Sequence, residues 1–280
     1  MNKKVTLQEE SIREIAEAFA LADLAARTPR ESNPHIPMVK DELYKLALDN
    51  SAAGTFPTRS QYVFFAGVNG SGKTSFIRCM KNTQAFSSFR YICADEAESD
   101  LTHLSKTERM KTANLTARTY RNICLDHNAD IIYESVASHP SHLDDLSAIA
   151  ERGAYVTTVF VTTEDCEINL ARIARRGRDN DSYLTPERVL RRRERSLANL
   201  NGFITRSDKA LAFDNSINYK PVFIKTSAGK HIMLERAAWA DKFILAPLRE
   251  SGIHVLGLAD IDSEQYVRVL LCANILKNTQ

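Results

Sequence analysis

Apolar and polar positions follow two alternating patterns from residue 61 onward. Short apolar runs alternate with longer segments in which apolar residues recur every three or four positions. This alternation is typical of an α/β fold, in which helices flank a parallel sheet. It predicts strands at 61–66, 89–93, 130–133, 155–162 and 210–213. It predicts helices at 73–81, 105–127, 141–152, 164–176 and 186–200.

The sequence before residue 61 has a helical pattern without strands. Residues 6–27 and 38–49 each place apolar side chains at helical spacing, and a proline-rich connector separates them. We therefore expect residues 1–60 to form a helical N-terminal extension ahead of a core at 61–216.

The sequence after residue 216 has a mixed pattern. Ser227-Ala228-Gly229-Lys230 predicts a hairpin turn, and a short strand is expected near 253–257. Residues 263–276 favour a final helix. Residues 217–280 are thus predicted to be a C-terminal α+β tail of unassigned role.

Composition and charge narrow the classes of partner. The chain has 280 residues, of which 44% are hydrophobic and 26% charged, with a net charge of +2. These values are ordinary for a globular protein and give no whole-molecule attraction to nucleic acid or membranes. No apolar stretch approaches the ~18 residues of a membrane span, and the N-terminus lacks a signal-peptide pattern.

The cysteines indicate a reducing environment. Five cysteines are scattered along the chain without a C-x-x-C pair. This pattern argues against a disulfide framework and a zinc site, and it favours a cytoplasmic protein. A secreted effector with reduced cysteines fits the same counts.

One motif carries specific chemistry. Residues 67–74 read Gly-Val-Asn-Gly-Ser-Gly-Lys-Thr, a complete G-x-x-x-x-G-K-T loop between a predicted strand and a predicted helix. Such a loop cradles phosphates with its backbone N–H groups, its lysine reaches the β- and γ-phosphates, and its Thr hydroxyl binds Mg²⁺. ATP and Mg²⁺ are the predicted cofactors, and Thr74 is the predicted metal ligand. The predicted phosphate-binding residues are Gly67, Asn69, Gly70, Ser71, Gly72, Lys73, Thr74 and Ser75.

Carboxylates follow two of the predicted strands. Asp95 and Glu96 come directly after the second strand, and Glu134 and Ser135 follow the third. In α/β sheets the loops at the carboxyl ends of strands form the ligand site. Asp95 or Glu96 can therefore accept a proton from a substrate hydroxyl or hold Mg²⁺ through water, or simply cap a helix. Glu134 is expected to face ligand or metal; a surface position at the strand end is the alternative.

Arginines are concentrated between residues 172 and 195, where nine arginines meet four acidic residues. A loop and helix of this kind can close over phosphates as a lid whose arginines stabilise transition-state charge. A solvated basic helix face and a nucleic-acid groove are the alternatives. Tyr183 is the only aromatic residue in the window, which disfavours the groove.

Two histidines do not form a recognisable metal motif. His139 and His142 lie three residues apart across Pro140, without a nearby cysteine or an H-E-x-x-H pattern. They are predicted to belong to a loop and a helix start rather than a metal site.

Taken together, the motifs resemble the zeta-toxin-like P-loop kinases, in particular the bacterial branch labelled predicted ABC-type ATPases. The resemblance covers about residues 61–216 and depends on several segments in the same order. These are Phe65–Thr74, Tyr91–Glu96, Ile132–Ser135, Leu170–Gly177, Arg191–Leu200 and Phe213–Ser216.

The resemblance implies a phosphotransferase that passes the γ-phosphate of ATP to UDP-N-acetylglucosamine. It places Asp95 at the catalytic base, Glu134 at a sugar-holding carboxylate and Arg172 at a γ-phosphate arginine. We assign Arg176 as the second lid arginine, with Arg178 and Arg192 as alternatives. Lys73 completes the catalytic set, and Glu96 and Ser135 are added as substrate-binding residues.

The resemblance also implies a regulatory partner. The family's kinases are blocked by a small helical antitoxin, or by a helical segment of their own chain. Residues 1–30 are therefore expected to restrain activity, or else simply to pack on the core. A nucleic-acid-binding ATPase and a polynucleotide 5′-hydroxyl kinase are the alternative functions, with nucleic acid the less favoured partner.

Overall fold

The structure is a computed structural model, and it describes residues 59–81, 86, 88–99, 105–177, 184–227, 229–257 and 260. In this part of the chain eight strands form one sheet in the order β2-β3-β1-β4-β5-β6-β7-β8. The strands are β1 Gln61–Ala66, β2 Arg90–Cys93, β3 Ile131–Ser135, β4 Tyr155–Thr162, β5 Lys209–Asp214, β6 Lys220–Lys225, β7 His231–Met233 and β8 Val255–Gly257.

Helices connect and cover these strands. They are α1 Lys73–Lys81, α2 Ala94–Ser99, α3 Lys106–Asp126, α4 Ser141–Glu151, α5 Cys166–Arg176 and α6 Pro186–Arg206. A last helix, α7, consists of three consecutive parts, Ala238–Ala240, Asp241–Leu245 and Ala246–Glu250, of which the middle part has π geometry. No helix in the described ranges is both long and apolar enough to cross a membrane.

The first five strands are all parallel, with β1 between β3 and β4. Their carboxyl ends therefore lie along one edge of the sheet, where the loops after β1, β2, β3, β4 and β5 meet. The α/β P-loop fold predicted from the apolar pattern is confirmed, and the functional site lies at this edge.

The core is divided between the two faces of the sheet. Successive residues of β1 point to opposite faces, so that Tyr62 and Phe64 join one buried cluster while Val63 and Phe65 join the other. Phe76 of α1 packs into the second cluster and is fully buried. Burial on both faces explains why the strands read as continuous apolar runs rather than as alternating ones.

Local sequence explains where two helices begin and end. Asp165 accepts a hydrogen bond from the Glu167 backbone N–H at 2.9 Å and so caps the start of α5, two residues after the predicted start. Gly177 ends α5 with a φ of 56°. Helix α6 begins at Pro186 behind the N-cap residue Thr185, as the sequence predicts.

The predicted end of α6 at residue 200 is wrong, because the helix continues to Arg206. Phe203 and Ile204 are buried against the sheet and stabilise this last part. Gly202 lets α4 approach closely, since a Cβ there would lie 2.7 Å from Leu143. Tertiary packing thus extends the helix through a residue of low helix propensity.

The tail continues the sheet. Strands β6 and β7 form the predicted hairpin, and β8, predicted near 253–257, pairs in parallel with β7. Helix α7 was not predicted; its Trp239 donates a hydrogen bond from Nε1 to Asp214 at 2.7 Å. The helices predicted at 6–27, 38–49 and 263–276 lie outside the described residues.

Candidate active site

The phosphate-binding loop connects β1 to α1 in a conformation that requires glycine. Gly67 has a φ of 140° and Gly72 a φ of 104°, values that side-chain-bearing residues rarely adopt. A Cβ on Gly67 would also collide with the Val161 carbonyl of β4. The glycines predicted from the motif are therefore needed for the shape of the loop.

Lys73 lies at the first position of α1 with only 6% of its surface exposed. Its Nζ donates a hydrogen bond to the Val68 carbonyl at 3.2 Å and lies 3.8 Å from Oε1 of Glu134. Burial lowers the pKa of Lys73, while the charges of Glu134 and Asp95 oppose that shift. The ammonium group is thus held inside a site that carries carboxylates.

Glu134 is at the centre of a buried polar cluster. It lies near the end of β3, in register with Phe65 of β1 and Cys93 of β2, and it is 8% exposed. It accepts hydrogen bonds from Thr74 Oγ1 at 2.8 Å and from the Tyr91 hydroxyl at 2.6 Å. Two hydroxyls and one ammonium group therefore surround this carboxylate, which offsets the cost of burying its charge.

The Thr74 hydroxyl and the Glu134 carboxylate suit a magnesium ion. Mg²⁺ prefers oxygen ligands and commonly uses one or two protein groups together with substrate phosphates. Among the described residues no cluster of three or more His, Cys, Asp or Glu side chains resembles a metal cage. The donor set therefore fits an ion that shares its coordination with a triphosphate, as predicted for Thr74.

Asp95 and Glu96 lie in the first turn of α2, and both are exposed. The helix begins one residue earlier, at Ala94, so neither residue is in the N-cap position. The charge of Asp95 raises the pKa of Lys73, which brings Asp95 within electrostatic range of the phosphate-binding lysine. An exposed carboxylate beside that lysine is accessible to an acceptor molecule.

Ser135 is the next residue after Glu134 and points to the opposite face of the sheet. Its Oγ lies 3.1 Å from Nε2 of His142 and accepts a hydrogen bond from the Ala137 backbone N–H at 3.1 Å. Burial lowers the pKa of His142 to about 4. The neutral imidazole is thus part of a loop-holding contact, in keeping with the predicted absence of a histidine metal site.

Several arginines of the 172–195 region contact the site. Arg172 donates from Nη2 to the Ser216 carbonyl at 3.2 Å, and its buried Nη1 has no hydrogen-bond partner in the described part of the chain. Arg192 donates to Asn69 Oδ1 of the phosphate-binding loop at 3.0 Å. The exposed Arg176 contributes to the lowering of the Lys73 pKa, so its charge also reaches the site. Arg178 lies outside the described residues.

Comparison with known proteins gives its result at the level of the fold. No family model matches the chain, and no curated protein matches its sequence. A structure of AvrRxo1-ORF1:AvrRxo1-ORF2 with sulphate ions is similar, with a TM-score of 0.54 and 13% identity over 99% of this chain and 86% of the other. The PezAT chromosomal toxin-antitoxin system of Streptococcus pneumoniae gives 0.50 and 12% over 91% and 99%. An AvrRxo1-ORF1:-ORF2 structure with ATP gives 0.51 and 13% over 96% and 85%.

The chain has the fold of the zeta-toxin-like P-loop kinases. The resemblance predicted from the ordered motifs is thereby confirmed for the fold. At 12% and 13% identity these structures say nothing about the acceptor or the catalytic residues of this chain.

Four side chains of this zeta-toxin-like fold support the site but were not predicted. Tyr91 contacts Glu134, and Asn169, Asn215 and Tyr219 contact the phosphate-binding loop. Tyr91 and Asn215 belong to segments that carried the family resemblance, so a signal for them existed. Asn169 and Tyr219 lie on elements whose proximity to the loop only the fold determines.

Proposed function

We propose that the protein is a kinase that transfers the γ-phosphate of ATP to a hydroxyl group of a small molecule. The observation that carries this proposal is the buried cluster in which Lys73 and Thr74 of the phosphate-binding loop both contact Glu134. The cluster places a cation, a hydroxyl and a carboxylate where a bound triphosphate and its metal need them. The similar structure solved with ATP supports the choice of nucleotide.

Each residue of the site has a role in this transfer. Lys73 and the loop N–H groups orient the phosphates, and Thr74 and Glu134 hold Mg²⁺, which neutralises phosphate charge when bound. Asp95 takes the proton of the acceptor hydroxyl as its oxygen bonds to the γ-phosphorus and the bond to ADP breaks. Arg172 and Arg176 offset the charge of the transferring group.

We propose a nucleotide sugar such as UDP-N-acetylglucosamine as the acceptor. The support is the zeta-toxin-like fold together with the exposed polar groups beside Lys73. Because Glu134 already contacts Thr74, Lys73 and Tyr91, we favour a metal role for it over the sugar contact that the resemblance implied. The sugar contact then falls to Glu96 and Ser135.

A partner protein and a cytoplasmic location belong to the same proposal. One of the similar structures is that of a chromosomal toxin-antitoxin system, which supports an antitoxin partner here. Restraint of the kinase by residues 1–30 is a second route to control. A chain without residues 1–30 should then show a higher kinase rate or greater toxicity, and an unchanged rate and toxicity would contradict such restraint.

The decisive experiment incubates the protein with γ-labelled ATP, Mg²⁺ and either a metabolite extract or pure UDP-N-acetylglucosamine. We expect a labelled small molecule with the wild-type protein and none with Lys73→Ala. Asp95→Asn should bind ATP but fail to transfer the label. Full transfer by Asp95→Asn would exclude Asp95 as the base, whereas label appearing only on a 5′-hydroxyl oligonucleotide would overturn the small-molecule assignment.

A further inference from the structure

Three side chains from outside the phosphate-binding loop donate hydrogen bonds to its backbone carbonyls. Asn169 Nδ2 donates to the Asn69 carbonyl at 3.2 Å, and Asn215 Nδ2 donates to the Ser71 carbonyl at 2.8 Å. The Tyr219 hydroxyl donates to the Gly72 carbonyl at 2.7 Å. The donors come from α5 and from the loop after β5, so two separate elements grip the loop.

The three donors are themselves fixed. Asn169 is fully buried, and its Oδ1 accepts a hydrogen bond from Thr163 Oγ1 at 2.6 Å, which sets the orientation of its amide. The backbone N–H of Asn215 donates to the Thr162 carbonyl at 2.7 Å. The Tyr219 ring packs against Phe76 with 5.1 Å between centroids. A rigid donor restricts its acceptor more strongly than a mobile one does.

Peptide geometry converts this grip into an orientation of N–H groups. The C=O and N–H of a trans peptide point in opposite directions, and the described chain contains no cis peptide. Fixing the carbonyls of Asn69, Ser71 and Gly72 therefore fixes the N–H groups of Gly70, Gly72 and Lys73 on the other side of the loop. Those three N–H groups have no hydrogen-bond partner within the described residues.

We infer that Asn169, Asn215 and Tyr219 are positioning residues that hold the loop ready for phosphate before nucleotide binds. This inference rests on the proposed kinase function, because it assigns the three N–H donors to the phosphates of the nucleotide. A loop that is already ordered loses less conformational entropy on binding, which strengthens affinity. Close contact also leaves no room for a side chain, since a Cβ on Gly72 would lie 2.6 Å from the Tyr219 hydroxyl.

The test compares variants that remove one donor and preserve shape. Tyr219→Phe keeps the ring, while Asn215→Asp and Asn169→Asp keep the side-chain outline. Matched controls are Tyr120→Phe and Asn114→Ala, which alter exposed residues of α3. For the full-length protein, the measurements are the Kd of ADP and of inorganic pyrophosphate by calorimetry, and NMR order parameters of the Gly70, Gly72 and Lys73 amides without ligand.

We expect each loop variant to bind ADP and pyrophosphate about five- to tenfold more weakly, which is the loss of one hydrogen bond. The order parameters of the three amides should fall, while the melting temperature stays close to that of the controls. Unchanged affinity and unchanged order parameters would overturn the inference. If the wild-type protein binds neither ADP nor ATP, the proposed function fails; lowered order parameters would still support the positioning role.

Discussion

The hydroxyl of Thr74 donates a hydrogen bond to the carboxylate of Glu134 at 2.8 Å, across 60 residues of sequence. This contact joins the loop after β1 to the end of β3, the two neighbouring parallel strands at the centre of the site. It brings the predicted metal ligand beside a buried carboxylate. The arrangement makes the site sensitive to the loss of either oxygen.

Thr74→Ala is expected to weaken Mg²⁺-dependent nucleotide binding by about 10- to 100-fold, the usual effect of disturbing a metal site. The reason is the loss of the hydroxyl that fits the metal and contacts Glu134. The measurement is the Mg²⁺ dependence of the ADP Kd. Thr74→Ser keeps the hydroxyl and should behave like the wild type; equal binding by the Ala and Ser variants would exclude a metal role for this oxygen.

Tyr91→Phe is expected to lower the free energy of unfolding by about 1–3 kcal/mol, because it removes a hydrogen bond to a buried carboxylate. The hydroxyl concerned lies 2.6 Å from Glu134 Oε2. Urea unfolding followed by the fluorescence of Trp239, which is the single tryptophan and is 4% exposed, measures the change. Tyr120→Phe, at an exposed tyrosine, should leave the free energy of unfolding unchanged. A Tyr91→Phe protein as stable as wild type would contradict the importance of this bond.

Gly67→Ala is expected to destabilise the protein more than Gly153→Ala. Both glycines have positive φ, 140° and 88°, but only a Cβ on Gly67 meets another group, the Val161 carbonyl. Gly153→Ala should cost about 1–2 kcal/mol from backbone strain alone. Gly67→Ala should exceed that value in the same urea experiment. Equal losses would show that the strand beside the loop moves freely to make room.

His142 is expected to make folding sensitive to acid. Burial lowers its pKa from 6.5 to about 4, so the unfolded chain binds a proton more readily than the folded one in this interval. The free energy of unfolding should therefore fall as the pH drops from about 6.5 to 4, by about 3 kcal/mol in total. Asp145, Arg118 and Arg121 face the imidazole and contribute smaller shifts of this pKa, upward from the carboxylate and downward from the two arginines.

Measuring urea unfolding between pH 7 and pH 4 tests the role of His142. The stability difference between the wild type and His142→Gln should shift by this amount over the interval, in favour of the variant at low pH. His254→Gln, at an exposed histidine, is the control and should follow the wild type. Parallel curves for wild type and His142→Gln would show that other groups control the acid response.

The sequence predicted the local parts of this protein well. The apolar runs of β1 and β4 and the helix after the loop were predicted with the observed bounds, since burial on both faces and glycine punctuation are visible in sequence. Helix α6 was predicted too short, because the packing that stabilises its end involves Leu143 of another helix. Helix α7 was missed because its burial depends on the sheet beneath it.

By itself, the sequence determined the phosphate-binding loop, the order of strands and helices, and the carboxylates that follow β2 and β3. These features are local, so residue type and spacing specify them. Only the tertiary structure decided that Glu134 contacts Lys73, Thr74 and Tyr91, and that Asn169, Asn215 and Tyr219 hold the loop. The physical reason is strand order: placing β1 between β3 and β4 joins side chains that are 43 to 147 residues apart in the chain.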